Sequence, residues 1–364
     1  MQDITASDRL AIKSFATKTP VFVCVISYTA TSEISGLTVA GANAELVKYT
    51  SPADVEFLYH GRCSCIDVVP ATPDGKPTPA LITRTALQLA RIPILVVDAG
   101  AKVKPSIPYI SFGVGPGRNI INENAMDISS VKHAFEHGEL LGKQLALISD
   151  LIVVGESIPG GTTTTLAVLR ALGIDARFKV SSSMPENPHN LKNKVVDSAI
   201  DRAIAGGIGR ISSAFEAIST FGDPMMPSVA GIASGVLLSA NGKIMLAGGT
   251  QMSAVVAILK RLGRPLNGLY IGTTTYVTKD PTSDLSGLVR MASKQVPILS
   301  CDLHLGESRK PGLRAFAKGF VKEGVGAGGA SIVAITKSRG KITGKKLMNA
   351  IEKEYEVSIE NVSH

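Results

Sequence analysis

The stretch from Leu151 to Leu169, LIVVGESIPGGTTTTLAVL, constrains the fold of this chain more than any other. Its β-branched run LIVV predicts a buried strand. The run breaks at Gly155, crosses a loop with Pro159, Gly160 and Gly161, and enters an apolar-periodic helix through four threonines. A strand, a glycine loop and a helix N-terminus in that order turn free backbone N–H groups and the positive end of a helix dipole toward an anion. The spacing from Gly155 to Gly160, followed by Gly161 and Thr162, nearly reproduces the P-loop pattern G-x-x-x-x-G-K-[ST], with Gly161 in the lysine position. That lysine reaches the β- and γ-phosphates in NTPases. Its absence argues for a monophosphate and against a kinase or NTPase. The plainer reading of the same residues is an ordinary βα turn with capping threonines.

The same grammar recurs along the chain. Strands are expected at Val21–Ser27, Cys63–Val69, Ile94–Gly100, Arg177–Ser182, Lys243–Gly249, Leu269–Val277 and Pro297–Leu305. Helices are expected at Asp8–Ala16, at Pro52–Leu58 with Ser51 as its cap, and at Ala80–Ala90, Ser129–Leu147 and Thr164–Leu172. Others follow at Leu191–Ala205, Val229–Ser239, Ser253–Leu262, Leu313–Lys322 and Lys345–Tyr355, with a strand or helix start at Ser213–Ser219. The segment Tyr28–Thr50, rich in Thr, Ser, Gly and Ala, reads as a loop crossing a site or a partner. Apolar strands alternating with helices indicate an α/β fold. The expected architecture is a mostly parallel, Rossmann-like sheet flanked by helices, with a small subdomain from the chain termini. It is read as a single domain over 1–364, with a core at about 20–335 and accessory segments at 1–20 and 336–364. In such sheets ligands lie beyond the carboxyl ends of the strands. Asp98 to Gly100, Gly155 with Glu156, Gly248 with Gly249, Thr273 to Thr275 and Asp302 all fall at that edge.

Composition narrows the function classes. The net charge of +8 is spread along the chain, apart from a modest cluster at Lys337, Arg339, Lys341, Lys345 and Lys346. Aromatic residues are not interleaved with these, as a base-stacking surface requires, so nucleic acid is not the expected partner. Apolar runs are cut short of the ~20 residues of a membrane span, and the N-terminus has no basic-then-apolar leader. Four cysteines without C-x-x-C suggest neither a disulfide framework nor zinc. A cytoplasmic protein without metal or cofactor is the expectation.

Three further motifs have bland readings. His133, Glu136 and His137 match H-x-x-E-H, but the charged flanks read as a solvent-facing helix. Gly324 to Gly329 satisfy G-x-G-x-x-G without the preceding strand that a dinucleotide site needs. Glu323, immediately before those glycines, is a candidate general base if apolar neighbours raise its pKa, and otherwise a solvated helix-end glutamate. His304 near Asp302 reads as structural, and no G-x-S-x-G or nucleophilic triad is present.

Placed together, these pieces resemble the nicotinate-nucleotide:dimethylbenzimidazole phosphoribosyltransferase family, and the whole chain is similar to an archaeal branch related to it. VVDAG at Val96–Gly100 is similar to the family's VVDVG. GRN at Gly117–Asn119 with Ala125-Met126 resembles its TRNF and AMT stretch. VVGESIPGGTTTT at Val153–Thr165 resembles its G-I-G-E-M-G-I-G-N-T-T loop, and Lys192 with Val195-Val196 its K-R-x-V-V helix. KIMLAGGTQMSAVVAI resembles V-V-L-D-G-F-x-S-T-A-A-A. The likeness runs from about residue 78 to 330. The family's P-P-G-S-L-G and H-x-S-A-E-P-G-H stretches have no counterpart. Its R-L-G-E-G-T-G-A is divided between HLGES, with Glu307, and KEGVGAGGA, with Glu323.

The resemblance implies transfer of phosphoribose from nicotinate mononucleotide to a benzimidazole- or purine-like base, releasing nicotinate. By resemblance, Gly155, Gly160, Gly161, Thr162 and Lys192 hold the phosphate, and Glu156 contacts the ribose. Thr163, Gly248, Gly249 and Thr273 complete the expected nucleotide site. Glu323, with Glu307 as its rival, takes the proton of the attacking base. A homodimer is expected from the resemblance and from Gly/Ala/Ser-rich surfaces at residues 30–45 and 229–240. The alternative is a mononucleotide-binding sensor that has kept the phosphate loop and lost the base site.

Overall fold

The computed structural model describes residue 15 and residues 18–39, 45–67, 76–209 and 211–361. In chain order the first elements are β1 (Pro20–Ile26), α1 (Thr50–His60), α2 (Ala80–Ala90), β2 (Ile94–Asp98), β3 (Ile110–Ser111) and α3 (Ile128–Ile148). Next come β4 (Leu151–Ser157), α4 (Gly161–Ala171), α5 (His189–Ala205), α6 (Ala214–Phe221), α7 (Met225–Leu237), β5 (Ile244–Ala247) and α8 (Gln251–Arg261). The chain continues through β6 (Leu269–Thr274), α9 (Thr275–Thr278), α10 (Leu285–Ala292) and β7 (Ile298–Cys301). It closes with α11 (Pro311–Ala317), α12 (Ala327–Lys337) and α13 (Gly344–Tyr355).

The seven strands form one sheet in the order β3-β2-β1-β4-β5-β6-β7, and every neighbouring pair is parallel. Side chains alternate across the pleat, so every strand except the short, exposed β3 feeds two cores. Val21, Val23 and Val25 of β1, with Ile152 and Val154 of β4, face the layer of α3, α4 and α7. Phe22, Cys24 and Ile26, with Leu151 and Val153, face the layer of α1, α2 and α12. The C-terminal helix α13 contributes Leu347, Met348 and Ile351 to that second core.

Helices α3 and α7 pack through paired glycines. A Cβ at Gly142 would stand 2.2 Å from the Ile232 carbonyl oxygen, and one at Gly235 2.1 Å from that of Glu139. All thirteen residues of α7 are buried. The small residues of 229–237 therefore serve contact within the chain and are not an open surface.

Several local expectations change. Over Cys63–Asp67 the backbone bends instead of forming a strand, because the Glu56 carboxylate takes the N–H groups of Ser64 and Cys65 that a ladder would need. Val68 and Val69 lie outside the described residues, as does all of the helix expected at Asp8–Ala16 except Phe15. Arg177–Ser182 is a turn and coil, with Phe178 at φ 59°, incompatible with extension. Ser51 does not cap α1; its hydroxyl donates within bonding distance of the Ser27 and Ser157 carbonyls, 2.9 and 2.8 Å away. The expected helix Leu313–Lys322 shortens to α11, and Ser213–Ser219 resolves as the start of α6. Helix α12 is new. Its first turn carries Gly328 and Gly329, which let it lie directly on the sheet, where a Cβ on either would strike Thr273 or Ala247.

Candidate active site

Chain order reverses at β1: it pairs with β2 on one side and β4 on the other, so the crossovers leave in opposite directions and open a crevice at the strands' carboxyl ends. A cavity of about 210 Å³ occupies it. One wall is the β4–α4 connection, from Glu156 to Thr162. Gly160 caps α4 with φ +76°, and a Cβ there would lie 2.8 Å from the Ser32 Cβ. Only glycine fits both demands. The Thr163 N–H closes the first turn onto the Gly160 carbonyl at 2.9 Å, while Thr164 is tied to the buried Asp223 carboxylate at 2.5 Å. Opposite stand Ser181, Ser182 and Ser183. Gly249, Thr250 and Gln251 open α8 beside them, and the Thr250 hydroxyl accepts the Ser181 N–H at 2.9 Å.

Acidic side chains fill the floor. Glu156 is buried, and burial together with the carboxylates of Asp223, Glu323 and Asp54 pushes it up to about 8. Glu323 is half-buried. Its oxygens accept the N–H groups of Thr274 at 2.9 Å, Gly328 at 3.2 Å and Gly324 at 3.3 Å, and the Thr273 hydroxyl at 3.3 Å. Burial still outweighs these donors and raises its pKa to about 7. Burial likewise lifts Asp54 to about 6 against the Thr78 and Ser157 hydroxyls, and Asp223, which does not line the cavity, to about 6 against Thr164.

The expected site residues divide into two sets. Glu156, Gly160, Gly161, Thr162, Gly249 and Glu323 line the cavity. Gly155, Thr163, Lys192, Gly248, Thr273 and Glu307 do not. Gly155 lies behind it, where a Cβ would meet Phe22 at 2.7 Å and the Gly326 backbone at 3.1 Å. Thr163 is fully buried beneath the α4 turn, and Gly248 sits against Met252. Thr273 serves Glu323 as a hydrogen-bond donor. Lys192 is fully buried behind the serine loop, its ammonium donating to the Ser181 carbonyl at 2.5 Å and to Asn187 at 3.1 Å. Burial, then the neighbouring Lys322, lowers its pKa to about 7. Lys322 itself pairs with Asp280 at 2.7 Å, both side chains being buried. Glu307 is on the surface, its side chain 75% exposed and 3.4 Å from the His304 Nδ1.

Sequence reasoning missed Asp54, Asp223, the serine loop and Gln251. An acid inside the apolar helix segment Ala53–Leu58 was the one available signal for Asp54. It also missed the apolar wall, made by Leu37, Val39, Leu46, Tyr49, Ile66 and Pro79. His133 and Glu136 are exposed on α3, where the His133 and His137 rings stand 3.9 Å apart. Among the described residues no three His, Cys, Asp or Glu are grouped to hold a metal, and no helix is long and apolar enough to cross a membrane.

A family model described as phosphoribosyltransferase matches residues 82–309. The chain belongs to this phosphoribosyltransferase family. Relatives share nearly the whole length. A UPF0284 protein of Archaeoglobus fulgidus is 50% identical over 92% of this chain and 93% of its own. One from Methanopyrus kandleri is 40% identical over 97% and 92%. The solved nicotinate-nucleotide-dimethylbenzimidazole phosphoribosyltransferase of Thermus thermophilus superposes with a TM-score of 0.62 at 14% identity, covering 95% of this chain and 91% of that one. That likeness shows a common fold. The family match stops short of Glu323 at one end and leaves out the apolar wall at the other.

Proposed function

We propose that this phosphoribosyltransferase moves the phosphoribosyl group of nicotinate mononucleotide to an aromatic nitrogen base. The observation that carries the reading is the meeting of a glycine-capped helix N-terminus and the carboxyl groups of Glu156 and Glu323 on one cavity. The phosphate suits the N-terminus of α4, with the serine loop opposite. Lys192 then acts through that loop, holding the Ser181 carbonyl away from the anion. In the mononucleotide the ring nitrogen bonded to ribose is a cationic pyridinium. As that bond breaks, its electron pair returns to the ring and positive charge passes to the sugar. Glu156 lines the same cavity; a cationic ring beside it favours its ionised form, and that carboxylate stabilises the charge passing to the sugar. The attacking base forms the new bond to the same carbon, and Glu323 takes its proton. The apolar wall of Leu37, Leu46, Tyr49 and Ile66 suits a flat ring.

The test is incubation with nicotinate mononucleotide and a panel of bases, with chromatography of free nicotinate. Base-dependent release is expected. Thermal stabilisation by the mononucleotide without release under any base would replace the transferase by the sensor.

A further inference from the structure

The cavity holds one buried acid that the transfer step leaves unused. Asp54 on α1 is 4% exposed and lines the same cavity as Glu156 and Glu323. The Thr78 hydroxyl donates to one of its oxygens at 2.6 Å and the Ser157 hydroxyl to the other at 2.7 Å. The oxygen of Thr78 accepts the Ala80 N–H at 3.2 Å, which leaves its proton for Asp54. One turn earlier, Ser51 ties α1 to the ends of β1 and β4 through the Ser27 and Ser157 carbonyls. The carboxyl group is therefore held from several sides, receives one donor on each oxygen, and keeps lone pairs in reserve. A rigid, desolvated acceptor in a binding cavity favours a ligand that brings donors and penalises one that covers it with methyl groups.

We propose that Asp54 reads the acceptor base, selecting a nitrogen heterocycle with N–H donors, an exocyclic amino group above all, on the edge away from its attacking nitrogen. The class is an aminopurine rather than an alkylated benzimidazole. This selection rests on the transferase reading for its role in turnover, although binding of the base can be measured without it.

The experiment compares adenine and guanine with 5,6-dimethylbenzimidazole by calorimetric titration, on the wild-type protein and on Asp54→Asn. The wild type should bind an aminopurine more tightly than dimethylbenzimidazole. The variant should reduce the ratio of the two affinities by roughly 10- to 100-fold. Thr78→Val, which removes one hydroxyl that orients the carboxyl group, should move the ratio the same way by less, and serves if Asp54→Asn does not fold. An unchanged ratio in both variants, or a wild type preferring dimethylbenzimidazole, overturns the proposal. Nicotinate release is followed in parallel. An Asp54-dependent preference without release under any base leaves this subsite standing and removes the transferase reading.

Discussion

Replacing Glu323 by Gln separates the base role proposed for this side chain from its structural role as a hydrogen-bond acceptor. As a base it can accept a proton near neutrality, because burial raises its pKa to about 7. As an acceptor it gathers the N–H groups of Thr274, Gly324 and Gly328. Gln cannot take the proton, and general-base catalysis is worth roughly 10²- to 10⁴-fold, so turnover should fall by that amount. Gln must also turn an NH₂ toward backbone donors on one side, which costs about 1–3 kcal/mol of stability. The two effects are read separately, by initial rates of nicotinate release at saturating mononucleotide and by chemical denaturation. Affinity for the mononucleotide should change little. In the wild type, kcat/KM should rise with pH through about 7 as Glu323 ionises, and the variant should lose that limb. A variant with undiminished turnover refutes the assignment. Glu307→Gln, at an exposed position, should be silent; a loss there instead would make Glu307 the base.

Gly160→Ala forces a left-handed residue and a contact 2.8 Å from Ser32, so stability should drop by at least about 1–2 kcal/mol and mononucleotide affinity should fall, by denaturation and calorimetry. Gly235→Ala sets a methyl 2.1 Å from the Glu139 carbonyl oxygen; separating α3 from α7 should cost about 1–3 kcal/mol, seen as a lower Tm. Glu156, Asp54, Asp223 and Glu323 all have pKa values raised by folding. Between their unfolded values near 4 and about 8, the native state binds more protons than the unfolded one, so their contribution to stability is full at low pH and declines as pH rises. Glu156→Gln should flatten the fall in Tm between about pH 5 and 8, each unit of displacement being worth about 1.4 kcal/mol.

The sheet was legible because parallel strands buried on both faces must read as unbroken apolar runs, as VFVCVI, ILVV and LIVV do. The glycine loop between β4 and α4 was legible because a helix N-terminus entered from a strand needs glycine at a left-handed position, met by Gly160. What failed depended on contacts between distant residues. CSCIDVV looks like a strand until Glu56 captures its backbone donors. The run from Gly324 to Gly329 matches a dinucleotide pattern on paper, while in the fold its last two glycines let α12 lie against the sheet, where a Cβ would strike Thr273 or Ala247. Lys192 looks like a phosphate ligand in a motif, yet its ammonium bonds to the back of the serine loop. The apolar wall left no periodic signature, because Leu37, Tyr49, Ile66 and Pro79 are gathered from separate segments.

Transfer of phosphoribose between two bases on this cavity can be followed with an isotope. Nicotinate mononucleotide labelled with ¹³C in its ribose is incubated with the protein and an aminopurine, and the products are resolved by mass spectrometry. The predicted result is the labelled phosphoribosyl group on the aminopurine, with an equal amount of unlabelled nicotinate. Label found only in the starting nucleotide or in free ribose phosphate would contradict it.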